Sequence, residues 1–203
     1  MTAAALVVFA LIAAAVLGGL AIFSARTARK IEDMLPADGR FVDVAGARLH
    51  VVERGQGPAL LLVHGLNGQL RHFTYGVVDQ LAAQYRVVAV DRPGSGYSVR
   101  SSEASAALGA QADAMAALID KLSLARPVVV GHSLGGAVAL ALAQRHPQRV
   151  AGLALVAPLT HPVAAVGAAF KGLAVATPWL RALIAWTLAV PVAIAKRKEI
   201  LNL

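Results

Sequence analysis

Along residues 3–23 no charged or strongly polar side chain interrupts the apolar run. As a helix rising 1.5 Å per residue this stretch is about 30 Å long, one hydrocarbon thickness. After the polar, Pro-containing stretch from Ile31 to Gly39, read as a linker, the periodicity changes. Residues 41–44 and 48–53 read as short strands joined by Ala45-Gly46-Ala47, a hairpin-length turn. Continuously apolar runs follow at 59–63, 85–90, 127–130 and 150–156, as expected for parallel strands buried on both faces. Between them, residues 77–83 and 137–145 have helical character, and Ser101 or Ser102 is placed to cap a helix running to Leu122. Strands alternating with helices imply an α/β architecture, a mostly parallel sheet covered by helices on both faces.

Beyond Pro158 the pattern changes again. Residues 161–203 are Ala-rich, broken by Pro162, Pro178 and Pro191, and read as helices. Trp179 to Ala195 is interrupted by Arg181 and Pro191 and falls short of 20 apolar residues, so an amphipathic helix pair is favoured over a second span. The chain thus divides into a transmembrane anchor with basic flank (1–30), an α/β core (31–160) and a helical segment (161–203).

Composition modifies this picture in three ways. The 203 residues are 58% hydrophobic, above the soluble norm, as a membrane segment in an Ala-rich chain requires. There is no cysteine, which excludes disulfides and thiolate metal sites; no metal or cofactor is expected. The net charge of +8 comes largely from Arg26/Arg29/Lys30 and Lys196/Arg197/Lys198, without the basic stripe and interleaved aromatics that nucleic acid requires. A cleavable signal peptide competes with the anchor for residues 3–23 but lacks a basic region before the apolar core. The basic residues lie after the span, so the positive-inside rule places the soluble part in the cytoplasm, with the periplasmic side as the alternative.

The chemistry centres on Gly131-His132-Ser133-Leu134-Gly135-Gly136, a G-x-S-x-G pattern between a predicted strand and a predicted helix. In that context the pattern is a nucleophile elbow, a strained turn that raises a serine hydroxyl above the sheet edge. Upstream, His64-Gly65 and Asp91-Arg92-Pro93-Gly94-Ser95-Gly96 each close a predicted strand. These three motifs in this order resemble the α/β-hydrolase superfamily, and within it the serine hydrolases with a helical cap. The resemblance implies Ser133 as nucleophile and the backbone N–H groups of Leu134 and Leu66 as the oxyanion hole. His64 and Gly65 would shape that loop, and the turn at Asp91 would brace it. Epoxide hydrolases and haloalkane dehalogenases of this fold carry aspartate where Ser133 stands, so an ester or related small-molecule acyl substrate is expected.

A working triad needs an acid and a histidine after the serine. Between Leu134 and Leu203 there is no aspartate, and Glu199 is the one glutamate, in a charged run. His146 is some 20 Å up the following helix. His161 sits after the next strand without an orienting acid. Relatives continue with two further strand–helix units, so this chain reads as their first two-thirds, ending inside the cap, with an apolar strand left at the sheet edge. Two functions follow as expectations: a membrane-anchored serine hydrolase, impaired as it stands, or a non-catalytic binding protein that keeps the fold.

Overall fold

The computed structural model describes residues 2–161, 175 and 177–195, which group into two units, 37–162 and 1–36 with 163–203. Within the larger unit, the period-two pattern of the apolar runs sorts side chains to opposite faces of a sheet. The strands are β1 (Arg40–Val44), β2 (Ala47–Arg54), β3 (Ala59–Val63), β4 (Arg86–Val90), β5 (Val99–Arg100), β6 (Val128–His132) and β7 (Gly152–Val156). Their order is β1-β2-β4-β3-β6-β7, with β5 pairing β2 beside this path. The four strands from β4 to β7 are parallel, while β1, β2 and β5 pair antiparallel, so the sheet is mixed but mostly parallel in its centre.

Leu49, Val51, Leu61, Val63, Val88, Val90 and Val129 point to one face. There they bury Met115 and Leu118 of α4 (Leu108–Lys121) and Val138 and Leu142 of α5 (Leu134–Arg145). The alternate residues Val52, Leu60, Leu62, Val87 and Ala89 point to the other, against Phe73 of α2 (Arg71–Thr74) and Val78 and Leu81 of α3 (Val77–Ala82). Two cores on one sheet are what β-branched strands buried on both sides produce.

Two boundaries differ from the sequence reading. The helix ending at Lys121 starts at Leu108, not at Ser101 or Ser102. Val99–Arg100 is taken up by pairing with Ala47–Arg48, and the Ser101 N–H donates to the Gly46 carbonyl, which holds the segment extended. The linker begins later than expected, because the first helix, α1, runs from Ala3 to Met34. Its Thr2 Oγ1 accepts the Ala5 N–H at 3.4 Å as an N-cap.

In the smaller unit α1 is the one helix among the described residues long and apolar enough to cross a membrane, and none of its most apolar window is buried. Residues 178–195 form a single helical run, not a pair: α6 (Pro178–Ile184), a π-helical segment (Ala185–Ala189) and α7 (Val190–Ala195). Pro191 cannot supply the N–H that the Thr187 carbonyl would receive in an α-helix, and a widened π turn absorbs the mismatch. Residues 162–174, expected from the sequence to begin a helical cap, and the charged run with Lys196, Arg197, Lys198 and Glu199 lie outside the described residues.

Leu61, fully buried at the centre of the sheet, and Leu155, exposed on the edge strand, test this account of the core. Leu61→Ala is expected to cost about 2–5 kcal/mol and Leu155→Ala under about 1 kcal/mol, read from denaturant unfolding in detergent.

Candidate active site

Ser133 lies between β6 and α5 with φ 52° and ψ −119°, a backbone conformation that costs a non-glycine residue energy. Its surroundings hold it there. The Ser133 N–H donates to the Val156 carbonyl at 3.0 Å, and its own carbonyl accepts from Gly136 at 2.9 Å and Leu159 at 2.9 Å. The side chain is half-buried at the N-terminal end of α5. The next residue, Leu134, opens that helix, so its N–H has no acceptor within it.

Two glycines of the motif make the turn possible by close approach. A Cβ on Gly131 would lie 2.6 Å from the Gly135 carbonyl oxygen and 2.6 Å from the Gly136 Cα. A Cβ on Gly135 would run into the Val63 carbonyl, so α5 presses directly on the end of β3.

That contact brings the loop after β3 beside the serine. The Cβ position of Gly65 is 3.0 Å from the Ser133 Cβ and 3.1 Å from Nδ1 of His132. Leu66 follows with an exposed side chain. Ser133, Leu134, His64, Gly65 and Leu66, all named from the sequence, therefore meet at one point above the sheet.

The loop is held from beneath by Arg92. Its Nε donates to the His64 carbonyl at 2.9 Å, Nη2 to the Gly65 carbonyl at 2.9 Å and Nη1 to Gln111 Oε1 at 2.8 Å. The Gly65 carbonyl also accepts from His64 Nδ1 at 2.8 Å and from the Gly68 N–H at 3.2 Å. A trans peptide is planar, with its C=O and N–H opposed. Fixing the Gly65 oxygen therefore fixes the direction of the Leu66 N–H at the other side of the same plane.

His64 is fully buried, and burial pushes its pKa down to about 4. It is neutral at ordinary pH, so its 3.9 Å approach to the Asp91 carboxylate is not an ion pair. With Nδ1–H donating to Gly65, its Nε2 accepts the Arg92 backbone N–H at 3.0 Å. Both ring nitrogens are thus committed to holding backbone.

Asp91 continues the bracing. Its carboxylate accepts from Leu70 N–H at 2.7 Å, from Tyr97 N–H at 3.0 Å and from His50 Nδ1 at 2.8 Å. Burial alone would raise the Asp91 carboxyl, but these hydrogen bonds, that of His50 foremost, outweigh it and hold it below the usual range. Burial likewise works against a charged His50. Its hydrogen bonds to Asp91 and to the Asp38 carbonyl overcome this, and its pKa is raised. Ser98 completes the unit, accepting the His50 N–H at 2.8 Å and donating to the Asp91 carbonyl at 2.7 Å.

His50 was not singled out from the sequence. The available signal was a polar residue in the strand run Leu49-His50-Val51-Val52, where a buried register position demands a partner. Two histidines follow the serine in the chain. His146 caps the far end of α5, where Nε2 meets Asp113 Oδ1 at 2.8 Å and Nδ1 meets Arg149 at 3.4 Å. His161 is exposed two residues beyond Leu159, its Nδ1 2.9 Å from Thr160 Oγ1.

The chain belongs to the α/β-hydrolase fold family, whose sequence pattern matches residues 58–194. Its relatives include hydrolases of several kinds. It is 36% identical over 123 residues to 2-hydroxymuconate semialdehyde hydrolase of Pseudomonas sp. strain CF600, covering 60% of this chain and 44% of that protein. It is 43% identical over 109 residues to pimeloyl-[acyl-carrier protein] methyl ester esterase of Aeromonas hydrophila, covering 52% of this chain and 40% of the esterase. The N-acyl homoserine lactonase AidH superposes with a TM-score of 0.59 at 27% identity, covering 66% of this chain and 52% of the lactonase. The chain spans less than half the length of the two curated relatives.

Opposite pH limbs follow from the two buried histidines. The raised pKa of His50 makes its contribution to stability complete below its ordinary 6.5, and that contribution fades as pH rises through the folded value. His64, lowered from 6.5 to about 4, costs stability as pH falls across that window, because only the unfolded chain takes up its proton. That loss is on the order of 3 kcal/mol. His50→Gln should therefore cost more at pH 6 than at pH 9 in unfolding measurements; an equal cost would contradict a charged His50–Asp91 pair.

Proposed function

We propose that this chain is a serine hydrolase acting on an ester or related small-molecule acyl substrate, tethered to a membrane by α1. The observation that carries the reading is the strained Ser133 turn, pressed against the Gly65 loop. In this role Ser133 Oγ attacks the acyl carbonyl carbon, the carbonyl oxygen becomes an oxyanion, and its collapse expels the alcohol to leave an acyl-enzyme. The oxyanion would sit between the N–H groups of Leu134 and Leu66, with Arg92 and His64 keeping the second of these aimed. Water then hydrolyses the acyl-enzyme. A serine at position 133, and not the aspartate of epoxide hydrolases, supports acyl transfer, as does the likeness to a methyl ester esterase and a lactonase.

The serine proton needs an acceptor. His146 is at the opposite end of α5 and engaged by Asp113, so it is not placed to be that acceptor. The second reading is a membrane-associated binding protein that keeps the fold without turnover. Without an oriented base and acid, the oxyanion hole and binding alone supply about 10³–10⁴-fold acceleration. No cofactor, metal or nucleic acid enters either reading.

For α1 the reading is a single span over residues 3–23, with Arg26, Arg29 and Lys30 holding the following chain in the cytoplasm. A signal sequence on the same residues, with the rest on the periplasmic side, is the alternative.

A fluorophosphonate probe reports an activated serine. Labelling that disappears in Ser133→Ala is expected for the hydrolase, whereas an unlabelled folded chain would favour the binding protein. An alkaline phosphatase fused after Leu203 should be inactive if the core is cytoplasmic, and strong activity would reverse the orientation.

A further inference from the structure

In the smaller unit the distribution of side chains is inverted relative to a water-soluble helix pair. α1 packs against the π segment and against α7. Among the described residues of this unit, the two buried side chains are the small hydroxyl residues Ser24 and Thr187, each 2% exposed. Leu20, Leu180, Ile184 and Val190 are half-buried, whereas Leu183, Leu188, Val192 and Ile194 are exposed, as are Trp179 at 69% and Trp186 at 58%. In water, helices associate by burying the large apolar residues and leaving hydroxyls outside. Small hydroxyl residues at the closest contact, with most large apolar residues facing out, is the arrangement that a lipid solvent selects, because acyl chains are as apolar as leucine.

Two further features agree with a lipid surround. The Thr187 hydroxyl satisfies itself by donating to the Leu183 carbonyl at 2.7 Å, one turn back in its own helix. The Pro191 mismatch is absorbed by a π turn within the helix, in the manner tolerated where water does not reach the backbone.

Depth follows from α1. Apart from Ala13, its withdrawn positions run from Leu20 to Ala28 and include Ala21, Ser24 and Ala25, at the end of the apolar span where Arg26, Arg29 and Lys30 begin. The partner helix therefore belongs at the level where the span leaves the hydrocarbon. Tryptophan favours this level, between acyl chains and headgroups.

We propose that Pro178–Ala195 is a second membrane element, lying in the boundary between headgroups and acyl chains beside the exit of α1, with its exposed apolar side chains covered by lipid. This rests on the reading of α1 as an anchor. It adds that part of the C-terminal segment is held in the bilayer surface as well.

The chain contains two tryptophans, both in this element, so its own fluorescence tests the assignment. The full-length chain, together with the single-tryptophan variants Trp179→Phe and Trp186→Phe, is reconstituted into phosphatidylcholine–phosphatidylglycerol vesicles carrying bromine at acyl positions 6,7 or 11,12. Co-flotation with the vesicles and blue-shifted emission are expected. Shallow bromines should quench at least about two-fold more than deep ones, as befits an interfacial helix. A chain that floats but whose tryptophans are quenched by acrylamide and not by bromolipid would overturn the inference while leaving the anchor intact. Tryptophans shielded from both quenchers would also overturn it, since protein and not lipid would then cover them. Stronger quenching by the deep bromines would replace the surface placement with a second span. Failure to float would overturn the anchor and this inference together.

Discussion

The arrangement above the sheet depends on a guanidinium buried with backbone carbonyls. Arg92 is almost wholly withdrawn from solvent, and its donors go to His64, Gly65 and Gln111. Burial lowers its pKa, yet an arginine remains charged, so the carbonyl dipoles are what compensates the lost hydration. Those same carbonyls belong to the loop that must pass beside Ser133. Folding therefore solves two problems with one set of bonds: it keeps a charge tolerable inside the protein, and it fixes two consecutive peptide planes. A lysine at position 92 would lack the planar fork that reaches several carbonyls at once.

Much of this was legible in the sequence, and the reasons are physical. Runs such as Ala59–Val63 and Arg86–Val90 are short, apolar and bounded by turn residues, so strand identity and parallel pairing follow from local pattern. The elbow was legible because its glycines have a steric cause that shows as a spacing. What stayed hidden depended on contacts distant in the chain. The start of α4 is displaced by pairing of Val99–Arg100 with a strand some 50 residues earlier. The union of His50 with Asp91 joins residues 41 apart, and no local pattern announces the match. The π segment is intermediate. Pro191 signalled an interruption, but the outcome was a widened turn in one helix and not a break between two.

The site also shows how backbone strain is distributed. Ser133 is held at positive φ by bonds from three directions: from the edge strand through Val156, from the segment beyond it through Leu159, and from its own helix through Gly136. No single one of these need be strong. Together they fix the turn, because relaxing it breaks several bonds at once.

Two of those three bonds come from the outermost stretch of the described sheet. β7 is the last strand in the sheet order, and its Leu155 and Val156 are exposed. Elements with few buried contacts open locally at a fraction of the free energy needed to unfold the core. The persistence of the strained serine is thus tied to a thinly covered strand as well as to the global stability of the fold. When β7 frays, the turn loses the Val156 acceptor and the Leu159 donor together and relaxes toward an ordinary conformation, while both hydrophobic cores stay closed.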